Sequence, residues 1–286
     1  MSLSRRRFLE LSALGVVAAA ATSACISPDS RSPLPPSSVI VIGGGLSGLV
    51  SAYLLGGGRT KVTVLEANTH LGGRVHTERW PNGQISELGF EEFFDEDTYP
   101  DIWWLVRELA LQDQVTRYRG SMGAYLRDEY IPPGSYSKWI RDLPWSADTD
   151  PDDFNSMISH VSGGVGQLSM PHDAASYAAL DSESMKDWIS RSYDRSGSGD
   201  VNWLTSIFLQ PEIGVPSDRT SAAYAILNLW IWYNSDLYHL RDGNDQFISR
   251  LVDKLPPNSV TLDAKVSAVR NLPDNEGVEV EYTDHS

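Results

Sequence analysis

The 286-residue sequence has a single cysteine, Cys25, so no disulfide can form within the chain. Bases are scarce beside acids: 23 Lys and Arg stand against 38 Asp and Glu, a formal charge of −15. A chain of that sign does not neutralise phosphates in number, which sets aside nucleic acid as a partner. No run approaches the roughly 20 apolar residues that span a bilayer as a helix. The six histidines (His70, His76, His160, His172, His239 and His285) show no metal-ligand spacing, and no Ser–His–Asp elbow is present. Metal and hydrolase readings are therefore weak. Aromatics are plentiful, with 9 Trp, 12 Tyr and 7 Phe in a composition 41% hydrophobic, ample for a sizeable core in about two domains.

The informative stretch is 38–74, SSVIVIGGGLSGLVSAYLLGGGRTKVTVLEANTHLGGR. Its pattern predicts a strand at Val39–Ile42, a glycine turn, a helix from Leu46 to about Leu55 and a second strand at Val62–Leu65. Each glycine has a separate task in holding a dinucleotide. Gly43 turns the chain off the strand. Gly45 removes a side chain where a pyrophosphate must reach the backbone. Gly48 lets the helix lie close to the sheet. The helix start at Leu46 and Ser47 offers unpaired N–H groups and a positive dipole end to the phosphates. Glu66 closes the second strand 18 residues after Gly48, where a carboxylate can accept ribose hydroxyls.

After Glu66 and Ala67 comes Leu71-Gly72-Gly73-Arg74. A second glycine pair followed by arginine is foreign to the ordinary nicotinamide fingerprint. It provides a second backbone approach to the pyrophosphate, with a guanidinium supplying charge and fork geometry. On these residues the chain resembles the flavin amine oxidase superfamily, which includes amine, polyamine and L-amino-acid oxidases and, more distantly, carotenoid desaturases. The resemblance implies an α/β fold: a Rossmann-like FAD-binding domain with an inserted, mainly helical α+β substrate domain. It implies FAD, non-covalently held as far as this chain shows, because the folded part has no cysteine for a thioether link. It also implies hydride transfer from the carbon beside an amine to the flavin, the cofactor carrying the chemistry. No side chain here is assigned a catalytic role.

Weaker likenesses follow. Val75–Trp80 and Gln84–Leu88, joined through Asn82-Gly83, read as a hairpin. Glu87–Phe93 resembles the family's element beside the flavin ring, which places Gly89 at the cofactor. Phe90 replaces a small residue there and would narrow the site. Pro100–Leu111 reads as an amphipathic helix. Residues 115–240 lack a β–α rhythm; Ser182–Ser190 looks like a capped helix start, and Ser221–Ser235 is the most apolar helix. Trp230 and Trp232 could wall a tunnel for ammonium groups, although aromatics at this density are more often core. Leu240–Phe247 resembles a family turn, with Asp242 in place of a usual glycine, and opens a helix over Gln246–Leu255. In relatives the residue matching Val266 holds the adenine through its backbone.

The domain organisation expected is a leader (1–24), a Pro/Ser linker (25–37), FAD-binding segments at 38–95 and 241–286, and a substrate domain at 96–240. Ser4–Glu10 resembles a twin-arginine export motif and Leu11–Ala21 a short hydrophobic core. Thr22-Ser23-Ala24-Cys25 resembles a lipobox, so the product is either lipid-anchored at Cys25 or released; both are export beyond the cytoplasm. The family's pattern continues past Ser286, so the expectation is a C-terminally incomplete chain, completed by a second polypeptide or truncated. Two other readings stay open: a carotenoid-desaturase or porphyrinogen-oxidase relative, and a non-catalytic nucleotide-binding remnant. A nicotinamide dehydrogenase is third.

Overall fold

The structure is a computed structural model that describes residues 38–56, 60–118, 123–132, 141, 143–163, 174–195, 197–273 and 276–284. The export motif, the linker and Cys25 lie outside the described residues. The chain divides into two compact units. The first is 1–91, 104–115 and 239–286; the second is 92–103 and 116–238.

In the first unit, β1 (Ser38–Ile42), α1 (Leu46–Leu55) and β2 (Lys61–Leu65) follow the predicted strand–turn–helix–strand. β1 pairs with β2 in parallel, and β10 (Val260–Thr261) pairs with the other edge of β2, giving the order β1-β2-β10. Valines at alternate positions of β2 make the strand apolar on the buried side, and α1 turns Leu49, Ala52 and Leu54 inward. On β1 the alternation leaves Ile40 and Ile42 at 40% and 53% exposure, a bare apolar face. Helix α8 (Gln246–Lys254) packs on α1 through a stripe of Phe247, Ile248 and Leu251.

The hairpin read from Asn82-Gly83 forms as β3 (Thr77–Arg79) and β4 (Ile85–Glu87), with Gly83 at φ +84°. A longer hairpin joins β11 (Ala264–Asn271) and β12 (Val278–Asp284). It is tied to the sheet where the Ala264 N–H donates to the Glu66 carbonyl at 2.8 Å.

The second unit holds two small antiparallel pieces and five helices among its described residues. β5 (Phe93–Phe94), β6 (Val115–Arg117) and β9 (Leu237–Leu240) form a sheet in the order β5-β9-β6; residue 115 itself and the end of β9 run into the first unit. β7 (Ala124–Leu126) and β8 (Glu129–Ile131) form a hairpin. The Pro100 helix, α2 (Pro100–Glu108), ends three residues before the predicted Leu111 and bridges the two units in sequence, its first part in the second unit and the rest in the first. The other helices are α3 (Pro151–Gly163), α4 (Ala174–Asp181), α5 (Met185–Ser192), α6 (Asp200–Ile213) and α7 (Ala222–Asn234).

Serines start two of these helices. The Ser184 hydroxyl accepts from the Asp187 N–H and Ser221 from the Tyr224 N–H, satisfying amides that lack intrahelical partners. The core is built from Phe154, Met157, Met185, Trp188, Leu204 and Ile226, among others. Trp230 packs against it, and the Trp232 ring meets Phe94 edge-on at 6.0 Å, so both aromatics serve packing.

The acidic excess is not evenly shared. The second unit carries 21 Asp and Glu against 9 Lys and Arg, net −12 of the chain's −15. The linear sequence conceals this, because acids appear along its whole length.

Candidate dinucleotide site

The site lies at the carboxyl ends of β1 and β2, entirely in the first unit. Gly43 takes φ +101°, a backbone state open mainly to glycine, and its N–H donates to the Leu65 carbonyl at 2.8 Å, joining the turn to β2. The first i→i−4 bond of α1 runs from Leu49 N to Gly45 O at 2.9 Å. The N–H groups of Leu46, Ser47 and Gly48 therefore have no partner within the helix, and no acid occupies the first turn. Unpaired amides and the positive dipole end at such a terminus favour an anion.

Two glycines in this turn differ in what a side chain would meet. A Cβ on Gly48 would lie 2.0 Å from the Gly43 carbonyl oxygen and 3.4 Å from a Val41 methyl, so helix–strand contact demands glycine. A Cβ on Gly45 would meet nothing nearer than Gly72 O at 3.8 Å. The fold itself does not need glycine at 45. The space is open to a ligand.

The second glycine turn is brought directly against the first. The Gly72 N–H donates to Gly44 O at 2.9 Å, Gly45 and Gly72 form a parallel bridge, and Gly73 stands 3.4 Å from Gly45 Cα measured from an ideal Cβ. Gly72 takes φ +112°. Arg74 is exposed, and its guanidinium makes no hydrogen bond or ion pair among the described residues. Gly89 packs on Arg74: a Cβ there would lie 1.8 Å from the Arg74 carbonyl oxygen, while the Phe90 N–H donates to that oxygen at 2.9 Å. The Phe90 ring sits 6.2 Å from Phe247, so it packs on α8.

Glu66 is 6% exposed and braces the turn. Its Oε2 accepts from Gly44 N–H at 2.6 Å; its Oε1 accepts from the backbone and side-chain amides of Asn68, each at 2.8 Å. Burial pushes this carboxyl up, but the Asn68 and Gly44 N–H groups, the Asn68 side chain and His70 together outweigh it and hold the group below its ordinary value. Three of about four lone-pair positions are taken, which leaves one for a ligand hydroxyl. The sequence predicted the ligand-facing role of Glu66 and missed this bracing of the turn. Ala67 is exposed beside it. Val266, half-buried on β11, pairs with Tyr282 at the irregularity before Ala268, two residues from the bond that ties Ala264 to Glu66.

The match to known proteins rests on most of the chain. Residues 46–286 match the family described as flavin containing amine oxidoreductase. The chain belongs to this family. Among curated relatives, a 15-cis-phytoene desaturase (chloroplastic/chromoplastic) of an Oncidium hybrid cultivar is 30% identical over 176 residues, covering 57% of this chain and 28% of the relative. Polyamine oxidase 5 of Oryza sativa subsp. japonica is 54% identical over 50 residues, 18% of this chain and 10% of the relative. Among solved structures, the cyclohexylamine oxidase of Brevibacterium oxydans IH-35A superposes with a TM-score of 0.62 at 21% identity, covering 87% of this chain and 55% of the other. Wild-type putrescine oxidase bound to putrescine gives 0.60 at 21% identity, with the same coverage. The chain thus spans about half the length of those solved structures and under a third of the desaturase. The fold is that of these flavoproteins, and FAD is the cofactor of the family.

The open approach at Gly45, the unpaired helix amides and the ionised Glu66 are what an adenine dinucleotide requires, so the residues present fit FAD. Sequence reasoning missed Glu87, Thr77 and Asn244, which tie the 240–245 turn to β3, β4 and the Phe90–Glu91 backbone. Only the likeness of 240–247 to a family turn hinted at Asn244. Among the described residues, no cluster of His, Cys, Asp and Glu could hold a metal, and no helix is long and apolar enough to cross a membrane.

Proposed function

We propose that the chain forms the dinucleotide-holding part of an FAD-dependent oxidoreductase that oxidises an amine, whether a simple amine, a polyamine or an amino acid. The observation that carries this reading is the open space at Gly45 between two glycine turns that touch each other. Family membership and the amine oxidases among the relatives support the substrate class. The N–H groups of Leu46, Ser47 and Gly48, with the Arg74 charge, would hold the pyrophosphate; Glu66 and Ala67 the ribose; and the Val266 backbone the adenine. FAD held there would supply the redox chemistry, hydride acceptance from the carbon beside an amine nitrogen. The chain's own part is to bind and orient. Gly43, Gly48, Gly72, Gly73 and Gly89 let the backbone come close, and the helix dipole stabilises the diphosphate charge.

Titrating the purified chain with FAD, followed by quenching of flavin fluorescence, tests the cofactor reading. Saturable one-to-one binding is expected, and its absence in folded protein would overturn it. Anaerobic bleaching of the bound flavin by putrescine, cyclohexylamine or an L-amino acid would then assign the substrate class. The desaturase relative, which covers 57% of this chain against 18% for the polyamine oxidase, favours a second reading on an apolar polyene. Bleaching by a carotenoid precursor and by none of the amines would select it.

The leader reading places the protein beyond the cytoplasm, lipid-anchored at Cys25 or released. The order of Arg5, Arg6, Phe8 and Leu9, with one residue between the arginine pair and Phe8, supports it. Replacing Arg5 and Arg6 by lysine should trap the protein in the cytoplasmic fraction. Unchanged export would refute the twin-arginine route.

A further inference from the structure

We infer that Asn244, with Glu87 and Thr77, is the positioning element that holds the second glycine turn in register with the first, so that the network sets FAD affinity without touching the cofactor. The inference rests on the FAD reading above.

Asn244 is fully buried, and every polar group it owns is used. Its backbone N–H donates to Glu87 Oε1 at 2.8 Å. Its Nδ2 donates to the carbonyls of Phe90 and Glu91, both at 2.8 Å. Its Oδ1 accepts from the Leu240 N–H at 2.9 Å. The other Glu87 oxygen accepts from the Thr77 hydroxyl at 2.7 Å, and that same hydroxyl oxygen accepts from the Asp245 N–H at 3.1 Å. Outside this knot, Arg79 grips Asp245 with two bonds of 2.7 and 2.8 Å and donates to the Asp242 carbonyl at 2.8 Å.

From Asn244 the path to the dinucleotide turn is short. Its side chain fixes the Phe90 carbonyl; the Phe90 N–H donates to Arg74 O; and Gly72, two residues before Arg74, donates to Gly44 O. The helix that Asn244 precedes, α8, also backs this turn: a Cβ on Gly72 would meet Ile248 at 3.4 Å. Asparagine is the residue type that suits the position. It offers two donors and one acceptor on one short arm without charge. Aspartate there would turn both carbonyl-facing donors into a repelling oxygen, and an apolar residue would leave three backbone groups unmatched, the Phe90 and Glu91 carbonyls and the Leu240 N–H.

The test uses the full chain and two readouts, the thermal midpoint without FAD and the FAD dissociation constant from fluorescence quenching. Asn244→Asp should weaken FAD binding about ten-fold or more, the equivalent of one buried hydrogen bond lost from the register. Asp200→Asn, a substitution at a buried side chain of the second unit, should lower the midpoint and leave FAD affinity unchanged. Should Asn244→Asp fail to fold, Thr77→Val removes the bridging hydroxyl at nearly constant shape and should weaken FAD in the same direction, while Thr77→Ser restores it. Wild-type affinity in folded Asn244→Asp or Thr77→Val would overturn the inference. Absence of FAD binding by the wild type would instead overturn the cofactor reading.

Discussion

Two alanine substitutions three residues apart should separate folding from ligand binding. In Gly48→Ala the new methyl would sit 2.0 Å from a backbone carbonyl oxygen, whereas ordinary contact begins at 3.4 Å. The turn or helix α1 must move by more than 1 Å to relieve it. Since the obstructing atom is backbone, the cost belongs at the upper end of overpacking, about 3 kcal/mol. For a chain of this size that lowers the thermal midpoint by about 6–12 °C. Gly45 has φ −73°, which alanine adopts freely, and its Cβ would be 3.8 Å from the nearest protein atom. Gly45→Ala should therefore cost no more than about 1 kcal/mol, through the poorer N-cap. Its methyl would occupy the ligand approach instead. A clash of about 3 kcal/mol there weakens FAD about 100-fold. Circular dichroism melts of the apo chains and FAD titrations read the two effects independently. If Gly45→Ala binds FAD as tightly as the wild type, the open space at 45 is not the pyrophosphate approach and the site assignment fails. If Gly48→Ala melts with the wild type, the contact between helix and turn is not what fixes glycine at 48.

Other expectations concern charge and caps. Asp200 is 1% exposed. Burial raises its carboxyl, but Arg127, the Ser146 N–H, Thr149 and the Ser146 hydroxyl together bring it down to about 2. A depressed folded value means the stabilisation is complete above the unfolded value of 3.8 and fades as pH falls towards 2. Urea unfolding of the wild type should lose about 2 kcal/mol across that window from this group, and Asp200→Asn should lose correspondingly less. Glu66→Gln would face one of its donors with an NH2 group; it should cost about 1–3 kcal/mol in apo stability and weaken FAD, measured by melts and titration together. Because Glu66 also lies below its ordinary value, its contribution too should be present at neutral pH and shrink on acidification. Ser184→Ala removes the cap of α5 and should cost about 1 kcal/mol in chemical unfolding, with no change in FAD affinity.

The parts legible in the sequence are those whose physics is local. The turn off β1, the start of α1 and the acid closing β2 are written within 29 residues, Ser38 to Glu66, and each follows from the neighbours in the chain. The capped start of α5 is legible for the same reason. The sheet β5-β9-β6 is not. Its members are two to four residues long and lie far apart in the chain, with Phe93 pairing with Tyr238, too short for a period to register. Asn244 escapes notice because its partners, Glu87, Phe90 and Glu91, lie more than 150 residues away. Gly89 was assigned to the cofactor by likeness. The structure shows a second reason for glycine there, the Arg74 carbonyl against which its Cα rests.

The partition of charge reaches beyond solubility. With a net −12 concentrated in the second unit and nearly neutral surroundings in the first, the chain is electrically lopsided. At physiological salt such a field decays over about 8 Å, so it acts only on the last step of an encounter. Within that range it raises the local concentration of cations and repels anions around one unit. Salt should accordingly alter how quickly a charged molecule arrives at the second unit more than at the first.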